Sequence, residues 1–370
     1  MNAWMRLRNE DDVPSPALLI YHERVVENIR RTVALAGGVE RLRPHVKTHK
    51  LAPIIALELA QGIRKFKVAT IAEAEMCAAA GAPDVMLAYQ PVGPNVRRIV
   101  ELAQKFSRTG FSCLVDNSAT VLALGAAATA AGRSLDVFLD LDIGYLRTGI
   151  APGPEAVALS QMIACTPGLH SAGLHAYHGL LRTPDREKRV RDTNAAFEPV
   201  WTLRDELLAA GLPVPVVVAG GTSSFPILGG RDGVEVGPGA TVLWDTFYTE
   251  FCPDLDFLHA AVLLTRVISR PGSNRLCLDL GCKAIASEMP LGTPRVRLAG
   301  LEDATLVMQN EEHLVVETPR AREYPIGTAI YGIPRHICPT VALYDEVFVV
   351  RDERAVETWP VIARARRITV

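Results

Sequence analysis

From residue 16 to about residue 245, short apolar runs alternate with longer segments whose apolar positions recur every three or four residues. The short runs predict strands over 16–21, 43–47, 66–70, 85–89, 111–116, 137–142, 172–177, 214–220 and 234–239. The periodic segments predict helices over 23–36, 51–60, 71–80, 94–106, 118–131, 153–165 and 186–210. Strands separated by helices imply a parallel sheet, because parallel neighbours need crossover connections. Nine strands are one too many for a closed eight-stranded barrel. The first is set apart by a full helix and can belong elsewhere. Removing it leaves the eight strands of an α/β fold, a TIM-like (β/α)8 barrel. On pattern alone, a doubly wound open sheet is a second solution.

After Asp245 the pattern changes. Long helical segments give way to short β-rich runs at 261–268, 275–280, 295–298, 313–317, 329–331, 346–351 and 358–368. Turn sequences such as Pro271-Gly272-Ser273-Asn274 and Arg351-Asp352-Glu353 separate them. The expected organisation is an α/β barrel over residues 21–245 and a C-terminal β-domain over 246–370, with residues 1–20 adding a strand to it.

Composition narrows the function classes. Hydrophobic residues make up 49% and charged residues 22% of the chain, an ordinary soluble balance. The net charge of −2 and the absence of long basic runs argue against a nucleic-acid partner. No apolar stretch reaches the roughly 18 residues needed to span a bilayer. The N-terminal run Met1-Asn2-Ala3-Trp4-Met5-Arg6 lacks a basic-then-apolar signal pattern, so a cytoplasmic location is expected. Seven cysteines are an odd number, and Cys77, Cys113, Cys165 and Cys277 read as buried, reduced thiols.

The densest group of reactive side chains is Arg43-Pro44-His45-Val46-Lys47-Thr48-His49-Lys50. A lysine that forms a Schiff base must lose its proton, which a partly dry, cationic neighbourhood favours. Lys47 falls at the end of a predicted strand, where barrels place catalytic groups. The plainer alternative is a basic surface turn with Lys47 and Lys50 in solvent. Gly220-Gly221-Thr222-Ser223-Ser224 follows another predicted strand, and bare backbone N–H groups with hydroxyls suit a phosphate. Gly239-Ala240-Thr241 closes the last barrel strand and can add further N–H donors.

These segments resemble the D-threonine aldolase and D-serine dehydratase family, which is similar in fold to alanine racemase. The lysine motif is followed in order by Val68-Ala69-Thr70-Ile71-Ala72-Glu73-Ala74-Glu75, then Asp142-Ile143-Gly144-Tyr145-Leu146-Arg147-Thr148-Gly149. His175-Ala176-Tyr177-His178-Gly179, Gly220-Gly221-Thr222, Gly237-Pro238-Gly239 and His336-Ile337-Cys338-Pro339-Thr340 complete the match. The resemblance spans roughly residues 14–350. It implies a pyridoxal 5'-phosphate enzyme with Lys47 as the cofactor lysine. Arg147 is implied to face the cofactor's phenolic oxygen and Tyr177 to lie near its pyridine ring, and both are implied to be catalytic with Lys47. His45, Gly221, Thr222, Gly239 and Ala240 join them as cofactor-binding residues. The family has Ser-Tyr where this chain has Ala240-Thr241, so only the backbone part of that contact carries over.

In an extended segment, His336 and Cys338 would alternate onto one face. Imidazole and thiolate suit a divalent metal, zinc above all, and two protein ligands leave positions open for substrate. The resemblance implies a lyase acting on a small D-3-hydroxy amino acid. Dehydratases of the family pair His with Cys, whereas its aldolases more often pair His with Asp and place another His shortly after the Tyr. Gly179-Leu180-Leu181-Arg182-Thr183 contains no such His. The leading expectation is therefore a dehydratase of the D-serine or D-3-hydroxyaspartate type, giving an oxo acid and ammonia. Arg182 is a candidate for a second substrate carboxylate. Retro-aldol cleavage to glycine and an aldehyde is the alternative; a racemase and a non-catalytic cofactor carrier are more distant ones. A homodimer is expected, because fold relatives cover the site with a second subunit.

Overall fold

The computed structural model describes residues 3–290 and 292–370. Residues 1 and 2, part of the 1–20 segment assigned above to the β-domain and of the N-terminus inspected for a signal, lie outside the described residues. The chain forms two compact units. Among the described residues, one comprises residues 30–47, 52–239 and 365–370, the other residues 3–29, 48–51, 240–290 and 292–364. No helix among the described residues is long and apolar enough to cross a membrane.

Strand β1 (Ala17–Tyr21) and helix α1 (His22–Ala36) open the chain. Seven parallel strands follow: β2 (Lys65–Val68), β3 (Asp84–Leu87), β4 (Gly110–Val115), β5 (Leu135–Leu141), β6 (Leu169–Ala176), β7 (Val216–Ala219) and β8 (Val234–Val236). They lie side by side in chain order in one sheet. Helix α2 (Ala52–Ala60) precedes them, and between them run α3 (Ile71–Ala79), α4 (Pro94–Lys105), α5 (Ser118–Ala130), α6 (Pro154–Cys165) and α7 (Arg186–Ala209), all within a few residues of the periodicity reading. Local chemistry sets their starts. Thr70, Asn117 and Asp185 each accept a hydrogen bond from the backbone N–H three residues on, the usual N-cap arrangement.

The eighth stave is shorter than the predicted strand 43–47. Leu42 bridges Val236 of β8 and His45 bridges Lys67 of β2, both in parallel sense. Arg43 N–H donates to Val236 O at 2.9 Å and Lys67 N–H to Pro44 O at 2.8 Å. Residues 42–45 therefore join the two sheet edges, as closure of the expected eight-stranded barrel requires. Pro44 has no N–H to continue a ladder, and the chain passes at once into a 3₁₀ turn, Val46–Thr48. Met86, Leu114, Phe138 and Val218, from four different strands, pack into one buried cluster, so the barrel interior is filled by side chains.

The other unit is an antiparallel-rich sheet. Short helix α8 (Phe225–Leu228) lies between β7 and β8 of the barrel unit, and α9 (Thr246–Phe251) precedes β9 in the chain. The strands are β9 (Ala261–Ser269), β10 (Arg275–Leu278), β11 (Val296–Leu298), β12 (Thr305–Gln309), β13 (Leu314–Glu317), β14 (Ala329–Pro334), β15 (Glu346–Arg351) and β16 (Arg354–Pro360). Helix α10 (Ile337–Val341) lies between β14 and β15 in the chain. Strand β1 joins this sheet, antiparallel to β9 and parallel to β15. Its Leu19 and Tyr21 pack with Val262, Leu264 and Tyr331 in the core. Strand β12 escaped the pattern reading because a register shift between Leu306 and Met308 breaks its alternation and leaves Val307 and Met308 exposed. The predicted strand 358–368 instead begins at Arg354. Asp352 and Glu353, both at positive φ, turn the chain so that Arg351 pairs with Arg354. Cys77, Cys113 and Cys277 are buried as expected, but Cys165 is exposed at the end of α6.

Candidate active site

Lys47 is half-buried in the 3₁₀ turn just after the eighth stave. That stave is held by Arg43, whose Nε donates to Glu235 Oε2 at 2.7 Å and whose two Nη atoms reach Asp84 at 2.5 and 2.9 Å. Burial disfavours its charge, but the two carboxylates outweigh this and keep the guanidinium firmly protonated. His45 is buried, and its Nδ1 accepts the Lys47 backbone N–H at 3.4 Å. The residues flanking Lys47 are thus fixed by charge and backbone bonding.

Tyr177, one residue past the end of β6, is the centre of the cluster. Lys47 Nζ lies 6.0 Å from its ring centroid, and the Arg147 guanidinium carbon lies 5.1 Å from it. Arg147 is also 4.8 Å from the Tyr145 ring, which meets Tyr177 edge to face at 5.9 Å. The three residues expected to be catalytic therefore converge in this structure, although Arg147 itself is exposed.

Three further residues were not singled out by the sequence. Lys67 Nζ lies 5.9 Å from the Tyr177 centroid and 2.9 Å from His175 Nε2. His175 Nδ1 lies 2.6 Å from Asp140 Oδ1. An ionised Asp140 can only accept, which makes Nδ1 the donor and leaves Nε2 to accept from Lys67. Burial is the largest cause lowering the Lys67 pKa to about 7, aided by the charges of Lys47, Arg43 and Arg147 and opposed by Asp140. Burial and the Lys67 charge likewise hold His175 below its ordinary value. Burial pushes Asp140 upward, but His175, Thr148 and Lys67 together outweigh this and hold its carboxyl below its ordinary value. The sequence signal was present: Phe66-Lys67-Val68 puts a charge inside a strand between two apolar neighbours, and buried lysines are rare without a partner.

The glycine turns meet the same cluster. Gly220 has a φ of +71°, and a Cβ on Gly221 would sit 2.7 Å from Tyr177 Cε2. Only glycine lets this backbone approach the ring so closely. Gly221 N–H donates to Ser224 Oγ at 3.1 Å, and Gly239 N–H donates to Thr222 Oγ1 at 3.1 Å. The turns after β7 and β8 are therefore bonded to each other, and they lie where barrels of this kind build phosphate sites. The glycine cradle, hydroxyls and neighbouring amines fit pyridoxal phosphate. Ala240 is buried at the start of the other unit, where its carbonyl accepts Trp244 N–H at 2.7 Å.

The expected metal pair, His336 and Cys338, lies in the β-domain unit. His336 and Cys338 do not sit on an extended segment as expected: His336 is the N-cap of α10 and Cys338 lies in its first turn. Pro339 tolerates an early helical position, and Thr340 Oγ1 donates to His336 O at 2.8 Å, closing the turn. The pair is still brought together, close enough for Cys338 to raise the His336 pKa. His336 Nδ1 lies 2.5 Å from Glu288 Oε1, and Cys338 Sγ lies 3.2 Å from Thr48 Oγ1. Burial lowers the His336 pKa, but Cys338, Glu288 and Asp245 together raise it to about 9. A carboxylate on one imidazole nitrogen, leaving the other for a ligand, is a common support for a metal-binding histidine, so the donors fit a metal. No group of three or more metal-binding side chains occurs among the described residues. Arg182, the candidate for a second substrate carboxylate, is exposed and gains no defined role.

The fold and this cluster define a class: a barrel carrying a lysine at a strand's C-terminal end, with a β-domain carrying a His-x-Cys pair. Comparison with known proteins agrees. Residues 20–242 match the alanine racemase N-terminal domain, and residues 260–350 match a serine dehydratase-like domain. The chain is 30% identical to D-threonine aldolase from Arthrobacter sp, across 95% of this chain and 93% of that protein. It is 28% identical to D-threo-3-hydroxyaspartate dehydratase from Delftia sp. (strain HT23), across 93% and 96% of the two chains. The crystal structure of D-threonine aldolase from Filomicrobium marinum superposes with a TM-score of 0.87, covering 97% of each chain at 28% identity. The chain belongs to the D-threonine aldolase and D-serine dehydratase family of the alanine racemase-like fold. Solved structures of a D-threo-3-hydroxyaspartate dehydratase include a histidine-to-alanine variant and a metal-free cysteine-to-alanine variant, with the two positions two residues apart.

Proposed function

We propose that this chain is a pyridoxal-phosphate- and divalent-metal-dependent lyase that dehydrates a small D-3-hydroxy amino acid to an oxo acid and ammonia. The observation that carries this reading is the convergence of Lys47, Lys67 and Arg147 on the Tyr177 ring beside the Gly220-Gly221 turn. The relatives support the substrate class, since those compared act, by name, on D-threonine or D-threo-3-hydroxyaspartate. In this reading residues 21–245 are the cofactor barrel, and residues 246–370 with 1–20 are the β-domain carrying the metal pair. The working form is a cytoplasmic homodimer.

Bound to these residues, the cofactor supplies an electron-withdrawing ring at Cα and the metal a Lewis acid for the 3-hydroxyl. The chain supplies the rest. Lys47 holds the cofactor and takes the Cα proton. His45 steadies the lysine turn, Arg147 places a cation beside the ring, and Tyr177 shields one side of it. Gly221, Thr222 and Gly239, with the Ala240 backbone, form the phosphate end. Lys67, His175 and Asp140 keep the inner side of the site hydrogen-bonded. His336, oriented by Glu288, and Cys338 hold the metal, and a thiolate donor favours zinc over magnesium.

The test is a D-amino-acid screen with product analysis, joined to borohydride reduction and peptide mapping. The expected outcome is oxo acid plus ammonia, with the reduced cofactor on Lys47. An adduct on Lys67 or Lys283 would overturn the lysine assignment. Glycine plus an aldehyde would establish the second reading, aldol cleavage, which the similarity to the Arthrobacter aldolase favours. Cys338→Ala should lose bound zinc and turnover together while keeping the visible cofactor spectrum. Full activity of that variant in chelator would remove the metal from the reaction.

A further inference from the structure

In the β-domain, a cavity of about 1150 Å³ is lined by α9, β11, β12 and β13. Every lining residue belongs to that unit, and none is assigned above to the cofactor or the metal. Much of its wall is apolar, including Leu298, Leu306 and Leu314. Arg295 and Arg335 interrupt it. Strand β11 runs antiparallel to β14, with Val296 opposite Pro334. One step further along, Arg335 N–H donates to Arg295 O at 2.8 Å. The two arginines are therefore cross-strand neighbours, an arrangement that like charges disfavour.

Their counter-charges are unequal. Arg335 Nη1 meets Glu250 Oε2 at 2.7 Å, although its Nε is buried without a partner. Arg295 is only 7% exposed, its Nε and Nη1 are buried with no hydrogen-bond partner, and it makes no ion pair with any described residue. Glu302, the other acid on the wall, accepts the Gly300 N–H at 2.9 Å. A buried cation with no counter-ion is among the most costly arrangements in a fold. A lysine could shed its proton; an arginine cannot.

We propose that this cavity binds a small organic carboxylate with an apolar body, its carboxylate held by Arg295 with Arg335 beside it. The planar guanidinium presents paired N–H donors that match a carboxylate. The walls offer contact for an alkyl or aryl group. The volume is ample for a small ligand, whose usual pockets run to roughly 300–1,000 Å³. The site is independent of the lyase chemistry, because it uses none of the same side chains.

The experiment is calorimetric titration of the full-length protein with butyrate, hexanoate and octanoate, each beside its uncharged amide and inorganic phosphate. The expected result is one saturable site per chain, tighter with longer alkyl groups, with each amide roughly tenfold weaker than its acid. Arg295→Met should weaken octanoate on the order of 30-fold or more, with the cofactor spectrum unchanged. If that variant fails to fold, Arg295→Lys keeps the charge without the fork and should weaken octanoate about tenfold. No saturable binding to the natural chain, or undiminished binding to the variant that folds, overturns the proposal. Phosphate binding as tightly as octanoate overturns the apolar part of the assignment. Loss of subunit association in Arg295→Met would also overturn the proposal, because the counter-ion would then be a carboxylate of a partner chain.

Discussion

Arg43 in the barrel and Arg295 in the β-domain are both buried, at 3% and 7% exposure, yet their surroundings differ. Arg43 is answered by Asp84 and Glu235, and Glu235 is shared with Lys65 at 2.5 Å. Arg295 has no charged partner among the described residues and two buried nitrogens without a hydrogen bond. The same contrast holds at the Tyr177 cluster, where Lys67, His175 and Asp140 satisfy one another. A charge whose partners are built into the chain serves the fold. A charge left without one needs something the chain does not supply.

The largest expected effect follows from that contrast. Arg43→Met leaves Asp84 without its cation and buried Glu235 with Lys65 alone, and should cost about 3–5 kcal/mol in denaturant unfolding. Arg295→Met, which removes a charge with no partner, should be neutral or slightly stabilising in the same assay. Equal losses in the two variants would break the comparison.

A smaller effect concerns Lys67. Its folded pKa, about 7, lies below the ordinary 10.5, so between these values the unfolded chain binds more protons. Stability should therefore rise as pH climbs from about 7 toward 10.5, and it should be lost as pH falls back through that window. Lys67→Met should flatten this slope, measured by denaturation across pH. A slope identical in the variant would mean that Lys67 keeps its proton in the fold.

An effect of similar size and opposite sign is an exception within the barrel. Glu58 of α2 is buried, its Oε2 has no hydrogen-bond partner, and burial raises its pKa to about 8 from 4.5. Here the folded chain binds the extra proton, so stability should fall as pH rises from about 4.5 through 8. Glu58→Gln should remove that decline and leave more stability above pH 8 than the natural chain has. An unchanged pH profile would show that Glu58 is not protonated in the fold.

Periodicity alone determined most of the architecture. Barrel strands buried on both faces and capped, amphipathic helices leave local signatures that read directly from residue type and spacing. Which lysine, arginine, tyrosine and glycines to place together came from the resemblance to a known family, whose motifs fall at or soon after the ends of predicted strands. What local pattern cannot carry is pairing between distant segments. Pro44 shortened the eighth stave, the bulge in β12 hid that strand, and helix α10 replaced an extended His-x-Cys segment. Lys67, His175 and Asp140 come from β2, β6 and β5, so only sheet register could bring them together. The partnerless state of Arg295 is likewise a property of the folded neighbourhood. Whether a buried charge is answered depends on every side chain within a few ångströms, and those neighbours are assembled by tertiary structure.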